Sequence, residues 1–244
     1  MGNALERSTR TSMWREKYIS GEYLRQNPTW HLEESAWKAR HIYRSMLRNN
    51  VVPHTVCEVG CGAGEVLRQL QMRMDEVCLF CGYDISPQAI ELAQGKANEK
   101  LHFELADIRE ADTPFFDLLL VLDVIEHLED YYGFLRDIRP KSQYKMFHIP
   151  LDLSAQTVLR PRGLLKVREA YWHLHYFTKE IALEVLKDAG YDLLDYCYTA
   201  RAIEEPTQEV VRNVLKLPRK LLFSIHNDFA AHLLGGWSLL ILAS

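Results

Sequence analysis

The chain lacks any apolar run long enough to span a bilayer. Its longest, near Leu233–Ala243, is short and holds the Gly235-Gly236 pair, so stable membrane insertion is not expected. It also lacks an excess of positive charge. With 29 Lys and Arg against 33 Asp and Glu, its net charge is −4, which argues against a nucleic-acid partner. The charged start and apolar core of a secretory leader are missing, and Glu6 stands where a myristoylation signal needs Ser or Thr. Cysteine is scarce: five residues, an odd number, which suits a reduced, cytoplasmic protein. Cys78 and Cys81 form a CxxC with no second pair to complete a zinc site. They fall in a strand-like run, where positions three apart face opposite sides. There is no HExxH and no second cluster of metal-ligand residues, so no metal is expected.

What is present is an alternation of apolar strands and amphipathic helices from about residue 55 onward, the pattern of a parallel α/β sheet. Strands are expected at Thr55–Val59, 76–83, His102–Leu105, Phe116–Leu122, Lys145–Ile149, Tyr191–Thr199 and Trp237–Ala243. Helices are expected over Ala63–Met74, Ser86–Ala97, Tyr131–Ile138 and Thr178–Ala189, the second opened by Ser86 as cap and Pro87 as first helical residue. Before the first strand, Leu32, Ala36, Ala39, Tyr43 and Met46 recur at helical spacing. The expected organisation is one domain of 244 residues. Residues 1–50 form an N-terminal helical cap, 51–200 a cofactor-binding core, 201–236 a late helical insertion broken at Pro218, and 237–244 the last strand.

The run Glu58-Val59-Gly60-Cys61-Gly62-Ala63-Gly64 crosses from the first strand through a turn to a helix start. Glycines there let a ligand approach main-chain N–H groups at a helix N-terminus. Asp84 closes the second strand twenty residues beyond Gly64, the usual distance for a carboxylate that grips ribose hydroxyls, and Asp107 follows the third strand. A dinucleotide fingerprint would need glycine at position 65, where this chain has Glu65, so a nicotinamide oxidoreductase is a distant alternative.

Taken together these segments resemble the class I S-adenosylmethionine-dependent methyltransferases, particularly the branch with ubiquinone, sterol and other small-molecule enzymes. Tyr83-Asp84-Ile85-Ser86 is similar to the family's ribose motif, Ala106-Asp107-Ile108 to its adenine motif, and Phe116–Leu122 with Asp123-Val124-Ile125-Glu126-His127-Leu128 to the strand beside the methionine moiety. The resemblance covers about residues 50–200 and implies a Rossmann-like, doubly wound, mostly parallel seven-stranded sheet in the order 3-2-1-4-5-7-6, with the last strand antiparallel. It implies S-adenosylmethionine as cofactor, held by Lys38, Glu58, Gly60, Cys61, Gly62, Gly64, Asp84, Ile85, Asp107, Ile108, Leu122 and His127. Lys38 is the expected partner of the methionine carboxylate, with Trp30 or His31 packed on the ligand.

Methyl transfer is an in-line displacement, so the protein mainly supplies position and desolvation; an oxygen or nitrogen acceptor also needs a base. Candidate bases are His148, His173 and His175, the last two alternating on an extended stretch and so expected on one side. Tyr18, Tyr23, Trp172 and Tyr176 are expected to wall the acceptor pocket. No Asp/Asn-Pro-Pro-Tyr run follows the fourth strand, so a small-molecule acceptor, first at oxygen, is favoured over a base in nucleic acid. Two basic stretches, Arg160, Arg162, Lys166, Arg168 and Lys216, Arg219, Lys220, read either as a face for an anionic or lipid-linked acceptor or as solvated surface. A catalytically silent S-adenosylmethionine-binding scaffold or sensor is the rival reading.

Overall fold

The computed structural model describes residues 13–27, 29–30, 32–74, 77–205 and 216–244. Seven strands form one sheet: β1 (Thr55–Val59), β2 (Leu79–Asp84), β3 (Leu101–Leu105), β4 (Phe116–Leu122), β5 (Ser142–Pro150), β6 (Leu193–Thr199) and β7 (Ser238–Ala243). Their order is β3-β2-β1-β4-β5-β7-β6, as expected, with β7 antiparallel to both neighbours. β4 is central, and every residue but Asp117 is buried, which explains its nearly unbroken apolar sequence.

Side chains alternate across the sheet and feed a core on each face. On one face, Cys57, Val59, Leu119 and Val121 pack under Phe134, Leu135 and Ile138 of α6 (Tyr131–Ile138) and Ala182, Val185 and Leu186 of α9 (Lys179–Asp188). On the other, Val56, Leu118, Leu120 and Leu122 pack under Ala39, Ile42 and Met46 of α3 (Leu32–Arg48), Leu67 and Leu70 of α4 (Glu65–Gln71) and Ile90 of α5 (Pro87–Gln94). The hydroxyl of Ser86 caps α5 and that of Thr178 caps α9, each accepting from the backbone N–H three residues on. Asp117, at the opposite end of the sheet from the glycine turn, accepts from the N–H groups of His54 and Thr55 and so ties the entry of β1 to β4.

The described residues before β1 form the expected helical cap as α1 (Met13–Ile19), α2 (Glu22–Gln26) and α3. Between β5 and α9 lie α7 (Ala155–Leu159) and α8 (Gly163–Tyr171), which the apolar pattern does not announce because neither buries a residue fully. The late segment carries α10 (Arg201–Glu204), α11 (Leu217–Ile225) and α12 (Asn227–Leu234), with Pro218 in the first turn of α11, where a missing N–H costs nothing. Ala200, Ile203, Ala230, Ala231 and Trp237 form a small core of their own there. This segment is tied to α3 by polar contacts: Glu204 accepts from Trp37 Nε1 at 2.8 Å and lies 2.7 Å from His41 Nε2, and Arg201 pairs with Glu34 at 2.8 Å. Among the described residues no helix is long and apolar enough to cross a membrane.

Candidate active site

The parallel strands deliver their carboxyl ends to one edge, and a cavity of about 1130 Å³ opens there. A single small-molecule site occupies roughly 300–1,000 Å³, so this cavity lies just above that range. Glu58, Gly60, Cys61, Gly62, Asp84, Ile85, Asp107, Ile108, Leu122 and His127 all line it, as do Lys38, His148 and His173.

The glycine turn is held by its neighbour strand. The N–H groups of Gly60 and Cys61 both donate to the Tyr83 carbonyl oxygen, at 2.8 and 3.1 Å, and the N–H of Gly62 donates to Asp84 Oδ2 at 2.9 Å. Asp84 Oδ1 accepts from the N–H of Ser86 at 2.8 Å. Asp84 is thus a buried clamp on both loops as well as a wall of the cavity. Burial raises its pKa, and these backbone donors offset only part of the rise. Gly62 has φ 54°, and a Cβ there would sit 3.4 Å from the Trp30 ring. Gly64 departs from expectation. It does not line the cavity; its φ is 74°, and a Cβ would meet Phe103 at 2.3 Å. It is glycine for packing against β3.

Asp107 lines the cavity with its carboxylate already engaged. Burial opposes its ionisation, but Arg109 grips both carboxylate oxygens at 2.9 and 2.6 Å, Arg15 lies 3.3 Å away, and its pKa falls below the ordinary value. Ile108 lines the cavity with a side chain that is also core. Glu58 is 3% exposed, and its Oε2 has no protein partner. Burial pushes its pKa up to about 8 against the pull of Lys38.

Lys38 Nζ sits 2.6 Å from Asp123 Oδ2 and 3.7 Å from Glu34. Asp123 leaves β4 with φ 54°, an uncommon conformation for a residue with a side chain, and its other oxygen is 2.6 Å from His148 Nδ1. Burial works against the Asp123 charge, but His148 and Lys38 overcome it and hold the carboxyl far below its ordinary range. Because a carboxylate only accepts, His148 Nδ1 carries the proton; Nε2 lies 2.9 Å from Thr199 Oγ1. Both nitrogens of His148 are therefore engaged.

His173 and His175 do not share a face. Trp172 adopts φ 62°, which turns the chain. His173 enters the cavity with Nδ1 2.6 Å from Asp152, whereas His175 lies outside it, its Nε2 2.8 Å from the Leu128 carbonyl oxygen and its ring against Tyr131. Of the expected acceptor wall, Tyr18 and Tyr23 line the cavity. Trp172 backs them edge-on at 5.9 and 5.5 Å without lining it, and Tyr176 turns away to donate to the Leu164 carbonyl oxygen. The Tyr18 hydroxyl and Trp30 Nε1 are buried with no protein partner. His31 lies outside the described residues. The basic stretches are partly spent on structure: Arg162 pairs with Glu169, Lys216 donates to the Glu205 carbonyl oxygen, and Arg219 donates to Gln156 and to the Gly235 carbonyl oxygen.

Residues 53–217 match a family model described as a methyltransferase domain. The chain belongs to that family. With the match, the nicotinamide alternative is dropped. Within this methyltransferase-domain chain, a 93-residue stretch is 33% identical to ajmaline N-methyltransferase of Rauvolfia serpentina, covering 35% of this chain and 31% of that relative. The similarity thus spans about a third of the length of the curated relatives it matches. Among solved structures, magnesium protoporphyrin IX methyltransferase from Synechocystis PCC 6803 with bound S-adenosylhomocysteine aligns with TM-score 0.61 at 14% identity, over 94% of this chain and 96% of that one. The [4+2]-cyclase SpnF aligns with TM-score 0.55 at 15% identity, over 84% and 80%. The fold therefore carries more than one chemistry, and this chain's chemistry has to be argued from its own cavity.

Several cavity residues of this methyltransferase-domain chain carry no mark in the linear pattern. Arg109 and Arg15 come to Asp107 from different directions, and Asp152 holds His173 as Asp123, from the motif after β4, holds His148. Glu126 is fully buried, and neither carboxylate oxygen accepts a hydrogen bond. Its position after β4 marks it as near the site, but only folding shows that its nearest charge partner is His127 Nε2 at 4.0 Å.

Proposed function

We propose that this chain transfers a methyl group from S-adenosylmethionine to a small-molecule acceptor, at oxygen in the first instance. The observation that carries the reading is the division of one cavity. Gly60–Gly62, Asp84 and Asp107 line one side with main-chain and carboxylate groups suited to a nucleoside, and Glu126, His127, His148 and His173 line the other with groups suited to proton transfer. Asp84 takes the ribose hydroxyls while retaining its backbone donors, since each carboxylate oxygen has a second lone pair. Lys38 takes the methionine carboxylate while its ammonium also keeps Asp123, and Glu58 faces the cationic end of the cofactor. Tyr18, Tyr23 and Trp30 exclude water from the sulfonium, whose reaction needs no other activation than position. His173, backed by Asp152, is the favoured base; His148 is the second choice because Thr199 occupies its outer nitrogen. The resemblance to the ubiquinone and sterol branch supports a small acceptor, and an anionic or lipid-linked one would meet Arg160, Lys166 or Arg168 around α8.

Calorimetric titration with S-adenosylmethionine and S-adenosylhomocysteine tests the first half, with one site per chain expected. Transfer of a radiolabelled methyl group to matched phenol, carboxylate and amine acceptors tests the second. Binding without transfer to any acceptor would favour the silent scaffold, and absence of binding at millimolar ligand would remove both readings.

A further inference from the structure

Glu126, His127 and His173 bring one potential ligand atom each to within 4.8 Å of one another. No metal was expected because no short motif spaces such ligands; here a 3-10 turn after β4 and the turn after α8 supply them from 46 positions apart. We propose that these three side chains form a binding site for a divalent transition-metal ion on the acceptor side of the cavity.

Four observations support it. Glu126 is completely buried, neither of its oxygens accepts a protein hydrogen bond, and its nearest possible charge partner is His127 Nε2 at 4.0 Å. An uncompensated buried carboxyl is costly unless a cation or donor meets it. The two imidazoles are oriented from behind: His173 Nδ1 lies 2.6 Å from Asp152, and His127 Nδ1 lies 3.3 Å from the Trp172 carbonyl oxygen. Each outer partner only accepts, so each Nδ1 carries the proton and Nε2 is the coordinating nitrogen. A carboxylate or carbonyl behind the ring is the support that metal-binding histidines usually have. The scaffold is also fixed, because the N–H groups of Leu174 and His175 both donate to the Glu126 carbonyl oxygen, at 2.7 and 3.1 Å, and staple the two segments together. Finally, all three side chains line the cavity, so coordination positions not filled by protein face it.

Two imidazoles and one carboxylate suit manganese, iron, cobalt or zinc better than calcium or magnesium, which favour all-oxygen shells. Bonds of about 2.0–2.2 Å put ligand atoms roughly 3–3.5 Å apart, so the side chains close inward by about an ångström on binding. Three protein ligands leave room for water or for acceptor oxygens, whose hydroxyl proton the ion would make easier to remove; with an ion bound, His173 is a ligand and this activation replaces its role as base. That last consequence rests on the proposed methyl transfer; ion binding does not.

The test is titration of the chelator-treated full chain with Co²⁺, followed by calorimetry and by visible absorption of the bound ion, without cofactor present. One Co²⁺ per chain is expected. His173→Ala should abolish binding, Asp152→Asn should weaken it by about 10–100-fold, and His175→Ala, outside the cavity, should leave it unchanged. No binding at millimolar Co²⁺, or binding equally tight in wild type and Asp152→Asn, overturns the proposal. Should circular dichroism show that His173→Ala does not fold, Asp152→Asn decides. Since S-adenosylmethionine is absent, failure here leaves the calorimetry of the cofactor untouched, and the reverse holds.

Discussion

The two sides of the cavity are built on different principles. The side formed by β1, β2 and β3 is made of three short runs just past successive strands, and its polar groups are mostly satisfied by one another: Gly62 and Ser86 donate to Asp84, and Arg109 pairs with Asp107. The side formed around β4, β5 and α8 gathers residues far apart in the chain, and it keeps orphaned polar atoms on Glu126 and Tyr18. A cradle that binds a fixed cofactor can be pre-satisfied and local. A site for a variable second reactant holds uncompensated groups, which cost stability and mark where chemistry or binding is to be supplied.

The sharpest test of the local character of the first side is Gly64→Ala. The substitution adds a left-handed conformation for a residue with Cβ and an overlap with Phe103. Together these should cost about 3 kcal/mol of stability, read from the midpoint of urea unfolding. An unchanged midpoint would mean that the turn is not set by packing on β3.

Asp84→Ala comes next. Cofactor affinity should fall by about 1.5–3 kcal/mol for each charge-assisted bond lost, roughly ten- to a hundredfold. Because Asp84 also clamps Gly62 and Ser86, stability should fall too, unlike the behaviour of an ordinary exposed strand-end acid. Asp84→Asn, which keeps one accepting oxygen, should recover part of the stability. Wild-type affinity in Asp84→Ala, measured by calorimetry on folded protein, would move the ribose site elsewhere.

The contrast also explains what was legible. The succession of strands, the β4 boundaries and the caps Ser86 and Thr178 follow from apolar periodicity and from short-range chemistry that folding does not override, whereas the sheet order comes from the family resemblance. The glycine turn at the end of β1 and the place of Asp84 at the end of β2 are local features of the same kind. The separation of His173 from His175 was not legible, because it depends on the left-handed turn at Trp172, an aromatic residue that gives no warning of such a conformation. The packing demand on Gly64 was not legible because its neighbour Phe103 lies on another strand. The Glu126, His127 and His173 cluster is a tertiary product, with no spacing to reveal it.

Glu58 lies on the satisfied side yet keeps an orphaned oxygen, so it probes the boundary. Its pKa of about 8 exceeds that of an unfolded glutamate. Its contribution to stability is therefore present in acid and lost as pH rises through about 8. A cationic cofactor prefers the ionised form, so below about pH 8 binding must also remove a proton. Cofactor affinity should rise between about pH 6 and pH 8, by up to roughly tenfold per unit, and Glu58→Gln should flatten the profile. A flat wild-type profile would show that Glu58 does not sense the ligand charge.

The smallest effect expected is on His175, and its smallness is the point. Its Nε2 contact with the Leu128 carbonyl oxygen and its edge contact with Tyr131 brace the turn outside the cavity. His175→Ala should therefore lower stability by about 1 kcal/mol, the net worth of one such hydrogen bond, and leave cofactor affinity and the KM for an acceptor as they were. His173→Ala should behave oppositely: kcat should fall, because the replaced ring faces the cavity with Asp152 behind it. Comparing the two variants by unfolding midpoint and by methyl-transfer kinetics separates bracing from chemistry two residues apart. Equal losses of kcat in both would mean that the turn moves as a unit and that the left-handed residue Trp172, rather than either imidazole, sets the shape of the acceptor side.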